Sequence, residues 1–137
     1  MNILFYLKPK NEIVYLYDDF TLRQVLEKME KHRYSAVPVI NRSGNYVGTL
    51  TEGDLLWHLK STGFQELKDM EDVPMTKIRR YWNNEPVNID CKIEDLITTS
   101  MNQNFVPVID DKKIFIGIVT RRDIIQYCYE KSQKEKI

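Results

Sequence analysis

Long apolar runs, paired cysteines, glycine-rich loops and an excess of either charge are all missing from this sequence of 137 residues. The longest apolar run near the start covers 3–7 and includes Tyr6. That is too short for a signal-peptide core or a bilayer-spanning helix, so a cytoplasmic protein with no membrane contact is expected. Lys+Arg and Asp+Glu both number 20, and a formal charge of zero argues against a general nucleic-acid binder. The two cysteines, Cys91 and Cys128, have no CxxC neighbour and read as idle thiols rather than a disulfide or metal pair. The two histidines, His32 and His58, fall in helical stretches without ligand-spaced partners. No P-loop, Gly-x-Ser-x-Gly or Cys-His arrangement is present. Neither an enzyme nor a metal or cofactor site is therefore expected.

What is present is an internal repeat. Val37-Pro38-Val39-Ile40 recurs as Val106-Pro107-Val108-Ile109, an offset of 69 positions (37 to 106). The same offset carries Gly48 to Gly117, Thr51 to Thr120 and Asp54 to Asp123. Upstream, Thr21-Leu22 and Val25-Leu26 meet Lys92-Ile93 and Leu96-Ile97 at an offset of 71 (21 to 92). Each copy reads as a strand (14–17 or 87–89), a helix with three-to-four apolar spacing (21–32 or 92–101) and a β-rich strand (36–40 or 105–109). A polar turn, a strand (46–51 or 114–120) and a second helix, through Leu59 or Tyr129, follow.

The expected fold class is α/β (α+β), a β-α-β-β-α unit twice. A unit this small buries too little alone, so the copies are expected to pack with pseudo-twofold symmetry. The expected segments are 1–62 for the first repeat, 63–84 for a connector, 85–131 for the second repeat and 132–137 for a polar tail that frays. The connector is expected to hold short helical pieces around 64–70 and 75–82.

The chemistry concentrates where each second strand meets its helix. A helix N-terminus offers free N–H groups and partial positive charge to phosphate. Thr51 and Thr120 add a hydroxyl there, and Asp54 and Asp123, three residues on, are candidates to accept from ribose hydroxyls. The same Thr-x-x-Asp spacing also describes a capping box, which satisfies only local donors, and the spacing leaves both readings open. Arg121 and Arg122 are more informative, because cations in a first helical turn oppose the dipole and suit a bound anion. The first copy has Glu52-Gly53 instead, so the stronger phosphate site is expected beside the second copy. Val37, Pro38, Val106 and Pro107 are candidates to present backbone and apolar groups to adenine. Lys8 and Lys10 read either as ligand contacts or as an exposed turn, and Tyr34 and Phe105 either as aromatic flanks of adenine or as core. Lys77, Arg79 and Arg80 with Tyr81 and Trp82 form a basic-aromatic cluster. It reads as a solvated connector or as a contact for ligand, partner or nucleic acid.

These residues resemble the cystathionine-β-synthase (CBS) domain pair, or Bateman module. The two signatures are Gly48-Thr49-Leu50-Thr51-Glu52-Gly53-Asp54 and Gly117-Ile118-Val119-Thr120-Arg121-Arg122-Asp123, each about ten residues after a hydrophobic-Pro-Val strand. Thr49 departs from the apolar residue usual there. The resemblance covers nearly the whole chain and implies a regulatory module binding AMP, ADP, ATP, S-adenosylmethionine or cyclic di-AMP. It also implies a stand-alone protein that reports to a separate partner, with a homodimer surface on the helices after each signature. Thr120-Arg121-Arg122 is similar to stand-alone CBS proteins that bind cyclic di-AMP. The expectation is a non-catalytic sensor that takes cyclic di-AMP as regulatory ligand in the cleft between its repeats. An AMP/ADP/ATP sensor and a ligand-free interaction scaffold are the alternatives.

Overall fold

The structure, a computed structural model, describes residues 1–32, 35–63, 66–79 and 84–135. In chain order its elements begin with a 3-10 turn Ile3–Phe5, strand β1 (Lys8–Pro9), a 3-10 turn Lys10–Glu12, β2 (Leu16–Tyr17) and helix α1 (Leu22–His32). There follow β3 (Ala36–Ile40), β4 (Tyr46–Thr51), α2 (Glu52–Thr62) and 3-10 turns Leu67–Met70 and Met75–Lys77. The chain ends with β5 (Val87–Asn88), 3-10 turns Ile93–Leu96 and Thr99–Met101, β6 (Phe105–Ile109), β7 (Phe115–Thr120) and α3 (Arg121–Lys134). No helix among the described residues is long and apolar enough to cross a membrane.

Contacts group the chain into two units, Val14–Asn83 and Met1–Ile13 with Asn84–Ile137. This grouping differs from the expected segments because both flanking stretches are built into sheets or cores. In the unit Val14–Asn83, β2 pairs parallel with β3 and β3 antiparallel with β4. Thr21 and Gln24 form a reciprocal cap at the start of α1, with N···O distances of 2.8 and 3.3 Å. Leu22, Val25 and Met29 then recur at helical spacing and bury one face of α1 against Leu16, Val37, Val39 and Leu50. The former connector completes this core. Met70, Met75 and Ile78 are buried in it, and Val73 accepts a 2.7 Å hydrogen bond from the Leu22 N–H.

In the other unit the sheet order is β1-β7-β6-β5, with β1 and β6 antiparallel to β7 and β5 parallel to β6. Its core joins Ile3, from the N-terminal segment, to Ile93, Leu96, Val106, Val108, Val119, Ile124 and Tyr127. Lys8 and Pro9 therefore form a strand, where the sequence read either as ligand contacts or as an exposed turn. Gly117 makes this approach feasible, since a Cβ there would lie 2.2 Å from the Lys8 carbonyl oxygen.

Two expected elements differ. The helix over 92–101 is two short 3-10 turns. Its later half carries the β-branched pair Thr98-Thr99, and the Ser100 hydroxyl donates to the Ile97 carbonyl at 2.7 Å, so side-chain bonding competes with the helical ladder. Conversely, α3 continues past Glu130 to Lys134, where a fraying tail was expected, with Lys131 and Lys134 matching the negative end of its dipole. The prolines of the Val-Pro-Val runs are accommodated because Pro38 and Pro107 precede the first parallel pairs, Leu16 with Val39 and Val87 with Val108.

Candidate nucleotide site

Both signatures build a strand-to-helix junction, and the two junctions use the same residue types differently. At the first, Thr51 is the N-cap of α2. Its Oγ1 accepts from the Asp54 N–H at 3.1 Å, and the Asp54 carboxylate accepts from the Thr51 N–H at 3.0 Å. The capping box is complete, and Asp54 is 2% exposed. The Glu52 N–H is also satisfied, by the Ser35 carbonyl at 2.9 Å. Two acids and no cation occupy this first turn, which suits the dipole and disfavours an anion.

At the second junction Thr120 caps α3 from one side only. Its Oγ1 accepts from the Asp123 N–H at 3.2 Å, while the Asp123 carboxylate makes no hydrogen bond among the described residues. The carboxylate instead lies 3.9 Å from the Lys8 ammonium, beyond hydrogen-bond range, and both groups stay partly solvated. Lys8 is carried there by β1, which pairs Lys8 with Ile118. The Arg121 N–H donates to the Asn104 carbonyl at 2.9 Å, and its Nε donates to the carbonyls of Ser100 at 2.7 Å and Gln103 at 3.2 Å. This fixes the guanidinium while its terminal nitrogens make no bond among the described residues. Arg122 is exposed and its guanidinium has no partner there. Three cations and a carboxylate engaged only in a long ion pair with Lys8 thus gather at the positive end of a 14-residue helix, a set able to hold phosphate and a vicinal diol together.

The remaining candidates are placed as follows. Val37 and Val106 are 1% and 0% exposed and belong to the cores of their own units, and Pro38 and Pro107 are buried. What these strands have to offer a ligand is main chain rather than side chain. Phe105 is 6% exposed, and its carbonyl accepts from Asn84 Nδ2 at 3.1 Å and Gln103 Nε2 at 3.2 Å. Lys10 is half-buried at the start of a 3-10 turn and has a partner of its own. Tyr34, Arg80, Tyr81 and Trp82 lie outside the described residues. Sequence reasoning missed the clamp on Arg121 by the Ser100 and Gln103 carbonyls and the buried amides of Asn84 and Gln103. Nothing in the residue pattern marks a carbonyl as an acceptor. The strand that delivers Lys8 did leave a signal, because a glycine inside a strand pattern, here Gly117, marks close backbone approach.

The chain is similar in sequence and in fold to known proteins. The CBS domain profile matches residues 7–61 and 70–130. An uncharacterized protein of Methanocaldococcus jannaschii is 27% identical, over 82% of this chain and 84% of its own length. An A-adding tRNA nucleotidyltransferase of Aquifex aeolicus is also 27% identical, over 87% of this chain but 14% of its own length. Among solved structures, CbpB in complex with c-di-AMP superposes with a TM-score of 0.84 at 24% identity, covering 99% of this chain and 89% of CbpB. CbpB from Streptococcus agalactiae gives 0.75 at 26% identity, covering 88% and 75%. CBSX2 in complex with AMP gives 0.68 at 18%, covering 96% and 98%.

Proposed function

Because this chain belongs to the CBS domain family, we propose that it is a non-catalytic cytoplasmic sensor of an adenine nucleotide, cyclic di-AMP first, that regulates a separate protein. The observation that carries this reading is the second junction. There Arg122 and the terminal nitrogens of Arg121 have no partner among the described residues, and the Asp123 carboxylate is left out of its capping box. Phosphate goes to the N-terminal turn of α3 at Thr120, Arg121 and Arg122, with Lys8 beside it, and ribose to Asp123. Adenine lies against main chain of a Val-Pro-Val strand. Thr51 and Asp54 offer a weaker second place, since their donors and acceptors already satisfy each other. The likeness to CbpB, solved with c-di-AMP, supports a ligand carrying two phosphates. CBSX2, solved with AMP, keeps a mononucleotide as the second reading.

Binding biases a partner-facing surface by no more than the ligand's differential affinity for its two states. Leu56 in one unit, and its equivalent Ile125 with Tyr129 in the other, are all more than half exposed, and we assign each of these apolar helix faces to a homodimer. Parallel thermal-shift and calorimetric titrations with AMP, ADP, ATP, S-adenosylmethionine and cyclic di-AMP test the proposal. Ligand at about a hundredfold over its dissociation constant adds roughly 2.7 kcal/mol of stability. Selective stabilisation by cyclic di-AMP is the expected result. Preference for a mononucleotide replaces it with the energy-sensor reading. No response to any of the five reduces both Thr-x-x-Asp sets to helix caps and leaves a scaffold.

A further inference from the structure

The unit Val14–Asn83 holds a second cationic feature, at the C-terminal half of α2 rather than at its capped start. Trp57, His58, Ser61 and Thr62 of α2, with Lys77 and Arg79 after the Met75–Lys77 turn, line a cavity of about 560 Å³. No carboxylate is among these lining residues. The volume lies within the usual range for small-molecule sites. The Lys77 ammonium has no partner among the described residues, and Arg79, held by an interaction of its own, adds a second positive charge. The Ser61 and Thr62 hydroxyls both donate to the His58 carbonyl at 2.9 Å, so the donors left for a ligand are Lys77 and the His58 ring, with Arg79 contributing its charge. Trp57 is 51% exposed and offers a planar apolar wall beside them.

The other unit shows that the repeat does not require this opening. His58 corresponds to Tyr127 at the same offset of 69 (58 to 127). Tyr127 is 8% exposed, packs edge-on against Tyr6 at 5.7 Å and donates a hydrogen bond to Glu94. One copy thus closes this helix face with an aromatic pair, and the other keeps it open and lines it with cations.

We infer that this cavity is a binding site for a small phosphate ester bearing a planar ring, with phosphate on Lys77 beside the Arg79 charge and the ring against Trp57. It is independent of the nucleotide site proposed at α3. Cations beside a helix C-terminus also offset its dipole, so the test reads affinity and stability separately. Nitrogen–proton correlation spectra of the full chain are followed during titration with phenyl phosphate, inorganic phosphate and phenol. Phenyl phosphate should give saturable shifts at the Trp57 indole and at the Lys77 and Arg79 amides, and bind more tightly than either fragment. Lys77→Ala should weaken it about tenfold or more, the effect of one charge-assisted bond. Trp57→Ala should reduce it to the affinity of inorganic phosphate, and Arg122→Ala should leave it unchanged. The inference is overturned if no shift saturates, or if Arg122→Ala abolishes binding while Lys77→Ala does not. A Lys77→Ala variant that loses stability but keeps affinity overturns it too, since Lys77 would then serve only the helix end.

Discussion

The two strand-to-helix junctions show how one residue pattern is put to two uses. Thr51 and Asp54 close a reciprocal capping box, and Asp54 is buried within it. Thr120 and Asp123, at the same spacing, make only half of that box. The difference comes from what surrounds them. β1 brings Lys8 to 3.9 Å from Asp123, and Arg121 and Arg122 stand where the first copy has Glu52 and Gly53. An identical Thr-x-x-Asp spacing is therefore saturated in one place and available in the other, so the motif alone does not locate a ligand site.

Removing the cations should have the largest effect on this contrast. Arg121→Ala/Arg122→Ala should cost cyclic di-AMP about 3–6 kcal/mol by calorimetry, if each arginine makes a charge-assisted bond of about 1.5–3 kcal/mol. Arg122→Ala alone should weaken binding without lowering stability, since it removes a cation that opposes the helix dipole. Arg121→Ala should also lower stability by roughly 1 kcal/mol, because Nε holds the Ser100 and Gln103 carbonyls. Unchanged affinity in the double variant leaves both arginines as surface cations.

The glycines of the two signatures should respond with opposite signs. Gly117→Ala places a Cβ against the Lys8 carbonyl and should cost about 1–3 kcal/mol in denaturant unfolding, with faster amide exchange at Lys8 and Lys10. Gly53→Ala meets only Thr51 Oγ1, at 3.6 Å in the first turn of α2, and should stabilise by about 0.4–1 kcal/mol. Equal effects at the two positions would remove the case that β1 shapes the second copy.

The aspartates should separate stability from affinity. Asp54→Ala breaks the complete capping box and should cost about 1 kcal/mol of stability with little effect on ligand. Asp123→Ala should change stability by less than about 0.5 kcal/mol and weaken the nucleotide. The reverse outcome would move the site to the first junction.

The smallest effect concerns pH, at the place where the second unit is closed. The hydrogen bond from Tyr127 holds Glu94 down from the ordinary 4.5 to about 2, and Glu94 pushes Tyr127 up from 10.0 to about 12. The Glu94 shift contributes stability that is present above pH 4.5 and lost as pH falls through 2. The Tyr127 shift contributes stability that is present below pH 10 and lost as pH rises through 12. The Tyr127–Glu94 bond is the largest cause of both, and the Met1 ammonium, 3.0 Å from Glu94, adds to the Glu94 shift. The stability gap between wild type and Tyr127→Phe should stay constant across neutral pH and narrow at both extremes. A gap independent of pH would show that this bond carries no net stability.

Most strands and two of the long helices were legible because their signals are local. Val37-Pro38-Val39 and Val106-Pro107-Val108 are β-rich, and Leu22, Val25 and Met29 recur at helical spacing. The helix expected over 92–101 failed because Ile93 and Leu96 carry the apolar spacing while Thr98, Thr99 and Ser100 weaken the ladder behind them. The roles of Asp54 and Asp123 were not legible at all, since a capping box and half of one share the same spacing.

By itself, then, the sequence determined the doubling of the unit, the strand-to-helix junctions and the unequal charge at their starts. These follow from side-chain periodicity and residue type, which act over a few positions. Tertiary structure decided which aspartate is spent on its helix, where Lys8 lies and how Arg121 is aimed. Those outcomes depend on β1 pairing with β7 and on carbonyls of 100–104 meeting α3. They rest on contacts between residues 17 to 110 positions apart in the chain (104 to 121 and 8 to 118), each using at least one backbone group that every residue carries and no motif records.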